Sequence, residues 1–287
     1  MRLVFLGTPA AAVPPLRALV GAGHDVALVV TRADKRRGRG SELTPSPVKV
    51  AALELGLRVT TDVDDVLAIG AELGVVVAFG RIIKPHVLAA LPMVNLHFSL
   101  LPRWRGAAPV ERAILAGDTE TGVCVMAVEE GLDTGGVFAL ERLAIDPWDD
   151  AERVRAQLVQ RGTALLIRTL GDGLGTPNPQ EGPITYADKI TSADLRLDWG
   201  RPAADLFRIT RVGRAWTTFR NKRLLVLDCR PLPAIEGLVP GALEGTKVGT
   251  GDGALELVTV QPEGRAALPA DAWRNGARPL PDERLGA

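Results

Sequence analysis

Met93-Val94-Asn95-Leu96-His97-Phe98-Ser99-Leu100-Leu101-Pro102 is the stretch on which the fold turns. Its first five residues alternate in character, so they read as a short strand with Asn95 and His97 on one side and Val94 and Leu96 on the other. Ser99 and Pro102 end the strand, leaving His97 at its carboxyl end, where open α/β sheets place their ligand sites. A matching acid lies downstream. Asp133 in Gly131-Leu132-Asp133-Thr134-Gly135-Gly136 sits among glycines, on a loop whose backbone can approach a ligand closely. Taken singly, a strand-end His is more often a satisfied structural residue, and an Asp between glycines is more often a turn former. Together, Asn, His and Asp supply what transfer of an acyl-type group to a neutral amine needs. Oxygen gains negative charge as the amine adds, and the amine must lose a proton. Asn95 can donate to the oxyanion. His97 can donate as well or handle the proton, and Asp133 can hold the imidazole or relay through water.

Working outward, residues 2–6 and 25–30 read as strands around a helix over 14–20, a βαβ opening. Nicotinamide binding would want GxGxxG after the first strand and an acid ending the second; Gly7-Thr8-Pro9 and Thr31-Arg32 stand there instead. The spacing predicts helices over 48–55, 63–73, 84–91, 109–116 and 150–170. Strands are expected over 57–60, 75–79, 122–128 and 137–143, the last pair antiparallel. Residues 32–47, basic and rich in Gly and Pro, read as a long mobile rim loop. The run 171–183 holds four glycines and three prolines and marks a boundary. Beyond it a short basic helix from Pro202 leads into strands over 217–219, 224–229, 241–246 and 255–260, separated by glycine turns, which suggests a small barrel. The expected domains are 1–183, a connecting segment 184–201, and 202–287.

Apolar content of 46% suits ordinary cores in two domains. No apolar run reaches the length of a membrane span, and Met1-Arg2 leads straight into a strand without a leader-like pattern, so a cytoplasmic protein is expected. Cys124 and Cys229 lie in apolar runs without CxxC spacing and read as buried free thiols, with no metal implied. Lys+Arg and Asp+Glu both number 34, so any polyanion must be met by local charge. Two stretches are skewed. Arg32, Lys35, Arg36, Arg37 and Arg39 oppose only Asp34, and the run from Arg201 to Arg223 includes Arg208, Arg211 and Arg214 against Asp205 alone.

Asn-x-His, Ser-Leu-Leu-Pro, Arg103-Trp104-Arg105-Gly106-Ala107-Ala108-Pro109 and Gly-Leu-Asp-Thr-Gly together resemble the folate-dependent formyltransferases, above all those acting on methionyl-tRNA. The likeness runs from Gly7-Thr8-Pro9 to Gln261-Pro262-Glu263-Gly264-Arg265. It implies a Rossmann-like, mostly parallel α/β domain followed by a small OB-like β-barrel. It also implies a catalytic trio of Asn95, His97 and Asp133, with 10-formyltetrahydrofolate as co-substrate and no metal. Ser99, Leu100, Leu101 and Pro102 would line the folate site, with Phe79, Gly80 and Ile82 beside the pterin, although a plain strand-to-helix turn reads as well at the latter three. The implied acceptor is methionyl-initiator tRNA, touched by Arg36, Arg37 and Arg39 at the acceptor end and by Arg208, Arg211 and Arg214 from the barrel. The alternative on the same domain is an N-formyltransferase for a small amine such as a glycinamide nucleotide or amino sugar. Two segments depart from the family pattern: Ser41-Glu42 in the basic loop, and Val212 to Trp216, which keeps only the Trp of a proline-rich motif.

Overall fold

The computed structural model describes residues 1–36 and 43–286. The chain forms two compact units. One comprises Met1–Val110, Glu120–Ile145 and Arg153–Asp188; the other comprises Glu111–Thr119, Asp146–Glu152 and Lys189–Ala287.

The first unit is built on a seven-stranded sheet. Its strands are β1 (Arg2–Gly7), β2 (Asp25–Val30), β3 (Val59–Thr60), β4 (Leu73–Val77), β5 (Met93–His97), β6 (Glu120–Ala127) and β7 (Val137–Ala144), in the order β7-β6-β5-β4-β1-β2-β3. The five from β3 to β5 run parallel, while β6 is antiparallel to both β5 and β7. Leu3, Val4, Phe5 and Leu6 are wholly buried and every residue of β4 is buried, as strands covered on both faces require. Helices α1 (Val13–Gly21), α2 (Pro47–Glu54) and α3 (Pro85–Ala90) each carry Pro in the first turn, where its missing N–H is harmless. The Ser46 hydroxyl caps α2 by accepting from the Lys49 N–H at 3.0 Å. Helix α4 (Pro109–Ala116), most of which belongs to the second unit, and the 22-residue α5 (Ala151–Asp172) fall where helical spacing places them.

Three sequence expectations are corrected here. The helix over 63–73 is only a 3-10 turn at Asp64–Ala68, because Gly70 turns the chain at φ 64 and Leu73 is already paired with Leu3 in β4. β4 starts two residues early and stops at Val77, since Ala78 and Gly80 both take positive φ. In the described part of the 32–47 loop, Lys35–Arg36 pairs with Leu43–Thr44 as a short ribbon, and Asp34 meets Lys49 Nζ at 2.7 Å. Arg37, Arg39 and the Ser41-Glu42 departure lie outside the described residues.

The second unit holds an antiparallel sheet of β8 (Ala215–Phe219), β9 (Lys222–Leu232), β10 (Leu243–Glu244), β11 (Lys247–Gly249) and β12 (Ala254–Pro262), in the order β8-β9-β12-β11-β10, with β13 (Leu268–Pro269) on β12. The β8–β9 connection is Arg220-Asn221, both at positive φ, the two-residue turn whose twist matches the strands. One side of helix α6 (Ala203–Val212), through Leu206 and Ile209, packs with Leu224, Val226, Leu255 and Val260 into one apolar core. The single strand expected over 241–246 is instead β10 and β11, folded back at Gly245-Thr246. Helix α7 (Ala270–Ala277) was not expected. Only Ala270 and Trp273 in it are buried, too few to show a period. Among the described residues no helix is long and apolar enough to cross a membrane.

Candidate active site

β5 lies between β4 and β6, so its two polar side chains are held from both edges. Asn95 is paired with Val76 on one side and Met126 on the other, and His97 with Cys124. His97 is 5% exposed. Its Nε2 lies 3.0 Å from the Trp104 carbonyl oxygen. A carbonyl can only accept, so Nε2 carries the hydrogen. Nδ1 then faces Asp133 Oδ2 at 3.6 Å. The imidazole is thus aimed at an acceptor on each side, and the pair can take up a proton at Nδ1.

Asp133 is fixed in turn. Its backbone takes φ 51, a left-handed conformation that Asp tolerates better than most residues. Oδ2 accepts from the Gly106 N–H at 2.8 Å. Gly106 itself has φ 122, and a Cβ there would stand 2.9 Å from the Ala187 carbonyl oxygen, so only glycine can offer that N–H in this way. A Cβ on Gly135 would lie 2.0 Å from the Ala127 carbonyl oxygen, which is why the loop needs its glycines to return against β6.

The residues that sequence reasoning missed are the ones beneath this loop. The Gln180 amide donates to the Asp133 and Gly135 carbonyls, each at 2.8 Å. Its oxygen accepts from Arg105 Nε and Nη2 at 3.0 and 2.7 Å, and Arg105 is buried. The Trp104 N–H, whose residue presents the carbonyl to His97, donates to Thr185 Oγ1 at 2.8 Å. Residues Arg105–Gly106 pair in parallel with Tyr186–Ala187. The sequence signal for part of this was the family-like run Arg103 to Pro109; Gln180 sits in a stretch read as a boundary.

The other expected ligand residues are differently disposed. Ser99 is fully buried, and its hydroxyl donates to the Arg103 carbonyl at 2.6 Å. Leu101 packs on the Cys124, Met126 and Val137 cluster, and Pro102 is buried. Leu100 closes over Gly122. The side chains of Ser99, Leu101 and Pro102 therefore shape the floor, and a ligand would meet mainly their backbone. Phe79 belongs to the core, whereas Gly80 is exposed and Ile82 is 91% exposed, an apolar surface beside the β4 end. Burial pushes the Cys124 and Cys229 thiols up to about 11, so both stay protonated.

Known proteins resemble this chain in sequence and in fold. Residues 1–170 match the formyl transferase family, and residues 189–278 match its C-terminal domain. The chain belongs to the formyltransferase family. It is 45% identical to the methionyl-tRNA formyltransferase of Clavibacter sepedonicus, over 96% of this chain and 97% of that one. It is 42% identical to that of Solibacter usitatus, over 100% and 99%. Among solved structures, the methionyl-tRNA formyltransferase from Clostridium thermocellum superposes with TM-score 0.60 at 17% identity, covering 80% of this chain and 93% of that one. The Helicobacter canadensis N-formyltransferase crystallised with folinic acid and dTDP-3-aminofucose gives 0.70 at 15%, covering 91% and 98%. HypX from Aquifex aeolicus, in complex with tetrahydrofolic acid, gives 0.66 at 18%; this chain covers about half of it, 47%. The three structures share the formyltransferase fold with this chain.

Of the basic residues expected at phosphates in this formyltransferase, two are committed elsewhere. Arg211 Nε and Nη2 donate to the Asp149 and Asp146 carbonyls at 2.7 and 2.9 Å, and burial holds its guanidinium below the usual range. Arg208 Nη1 pairs with Asp205 at 3.0 Å and its guanidinium lies against Gly117. Arg214 is exposed. Arg36 lies in the short ribbon of the first unit.

Proposed function

We propose that this enzyme transfers the formyl group of 10-formyltetrahydrofolate to the free amine of methionyl-initiator tRNA, for the initiation of translation in the cytoplasm, with Asn95, His97 and Asp133 as its catalytic residues. The observation that carries the chemistry is the His97–Asp133 pair at 3.6 Å beside Asn95 at a sheet's carboxyl edge. The choice of acceptor is supported by whole-length identity of 42–45% to methionyl-tRNA formyltransferases.

The residues present fit a formyl donor. An amide donor and an imidazole share one strand end, and an exposed glycine and an exposed Ile82 stand at the end of β4 for a planar heterocycle. The folate supplies the formyl carbon and, as leaving group, a ring-linked nitrogen. Asn95 Nδ2 donates to the formyl oxygen, which gains negative charge as the amine nitrogen bonds to that carbon. His97, oriented by the Trp104 carbonyl, holds the amine's proton at Nδ1 with Asp133 balancing the charge. The same proton then passes to the departing nitrogen as its bond to carbon breaks. Gly80, Ile82 and the backbone of Ser99 to Pro102 line the folate, and Arg36, Arg37 and Arg39 probe the acceptor end of the tRNA.

A formyl-transfer assay with and without charged initiator tRNA tests the reading. Transfer should require the tRNA; a free small amine formylated equally fast would mark a small-molecule N-formyltransferase instead. Asn95→Ala should lower kcat by about a hundredfold or more while folate affinity holds, and near-normal turnover at saturating substrates would remove Asn95 from the mechanism.

A further inference from the structure

Trp216 is locked into the surface of the second unit by three hydrogen bonds. Its N–H donates to the Leu195 carbonyl at 2.9 Å, its carbonyl accepts from the Leu197 N–H at 2.8 Å, and its indole N–H donates to the Ser192 carbonyl at 2.7 Å. This bridge seats Arg196 directly beside Trp216, with its guanidinium carbon 5.8 Å from the ring centroid. From β9, Arg223 reaches the same indole at 4.3 Å, in the register that pairs Trp216 with Leu225 and Thr218 with Arg223. Arg223 Nη2 donates to Ser192 Oγ at 3.2 Å. Both arginines are exposed, and Lys222 at the hairpin extends the charge. The nearby Glu263 carboxylate is taken by the Arg223 backbone N–H at 3.0 Å. Among the described residues neither guanidinium has a carboxylate within ion-pairing distance.

Two like charges on one aromatic ring repel, and here neither guanidinium is ion-paired among the described residues. The stack offsets part of that repulsion and holds each planar fork in place, so little side-chain freedom remains to be lost when an anion binds. Guanidinium edges presented in this way match phosphate oxygens two at a time. The Arg208 and Arg211 guanidiniums are not presented in this way: one is paired with Asp205 and the other donates to backbone carbonyls. Resting on the tRNA reading above, we infer that the second unit holds the RNA backbone through Arg196 and Arg223 stacked on Trp216, and not through Arg208 and Arg211.

The test is binding of initiator tRNA to the full-length protein across a KCl series, with Arg196→Ala/Arg223→Ala against wild type and against Arg208→Ala. The double variant should bind at least about tenfold more weakly. Its log–log salt slope should flatten by roughly 0.7–0.9 for each phosphate it no longer neutralises. KM for the methionyl-tRNA should rise while kcat and folate affinity stay unchanged. Arg208→Ala should keep the wild-type slope. Trp216→Leu, which keeps both charges, should weaken binding without altering the slope, and Arg196→Lys/Arg223→Lys should likewise keep the wild-type slope. If the alanine pair does not fold, Arg196→Gln/Arg223→Gln carries the same comparison. A double variant with wild-type affinity and slope, while wild type still formylates the tRNA, overturns the inference and leaves the function standing. A slope carried by Arg208 instead does the same. Wild type that neither binds nor formylates the tRNA overturns the function itself.

Discussion

His97 is held by what surrounds it more than by its own strand. The Trp104 carbonyl sets which nitrogen carries the hydrogen, and Asp133 then meets the other at 3.6 Å. Groups arranged in this way act as a unit, so the first removal takes most of the effect. His97→Ala and Asp133→Ala should therefore be strongly non-additive, with the double variant resembling the worse single in single-turnover formyl transfer. Losses that multiply would mean that the two side chains act independently. Asn95 and His97 were legible because a period of two is written into five residues. Asp133 was legible because glycines flank it. The Trp104 carbonyl was not, since a backbone acceptor has no sequence signature.

At the scale of elements, the Asp133 loop is supported by a segment that composition alone marks as a linker. Gln180 ties the carbonyls of Asp133 and Gly135 to the buried Arg105, and Asn178 exchanges backbone hydrogen bonds with Val137 at 2.7 and 2.9 Å. Gln180→Ala leaves these polar groups without partners, at about 1–3 kcal/mol for each one kept from water. Gln180 is a positioning residue, so the substitution should lower kcat about tenfold while KM for the folate changes little. Gln180→Glu should not rescue it, because a carboxylate cannot donate to the two carbonyls. Unchanged kcat in the alanine variant would show that Asp133 keeps its place unaided. The 3-10 turn at Asp64–Ala68 teaches the same lesson from the other side. Residues 63–73 carry helical spacing, and pairing of Leu73 with β1 overrides it.

At the scale of the whole molecule, two carboxylates tie distant segments of the second unit together by hydrogen bonds. Hydrogen bonds from Thr191, chiefly its backbone N–H, with Arg112 behind them, hold Asp194 down to about 2. A bidentate bond from Arg220 holds Glu283 down to about 2, while the turn at Arg220 takes a positive φ that this contact pins. Both values are depressed in the folded state. Their contribution is therefore present above the ordinary carboxylate values of 3.8 and 4.5 and is lost as pH falls from there towards about 2. Asp194→Asn and Glu283→Gln should lower stability at neutral pH and flatten its fall across that window, read by urea midpoints at pH 7 and pH 3. An unchanged acid limb would mean that these bonds do not form in solution.

The sequence by itself determined the alternating strand with Asn95 and His97 on one face, the buried parallel strands, the glycine loop around Asp133 and a later region of short strands separated by glycine turns. Each of these depends on local spacing or on backbone conformations that a few residue types alone allow. Only the tertiary structure decided which arginines are ion-paired, which carbonyl orients His97, and that Gln180 underpins the Asp133 loop. Such facts depend on partners distant in the chain, and a guanidinium paired with a carbonyl reads in sequence just as one left open to a phosphate does.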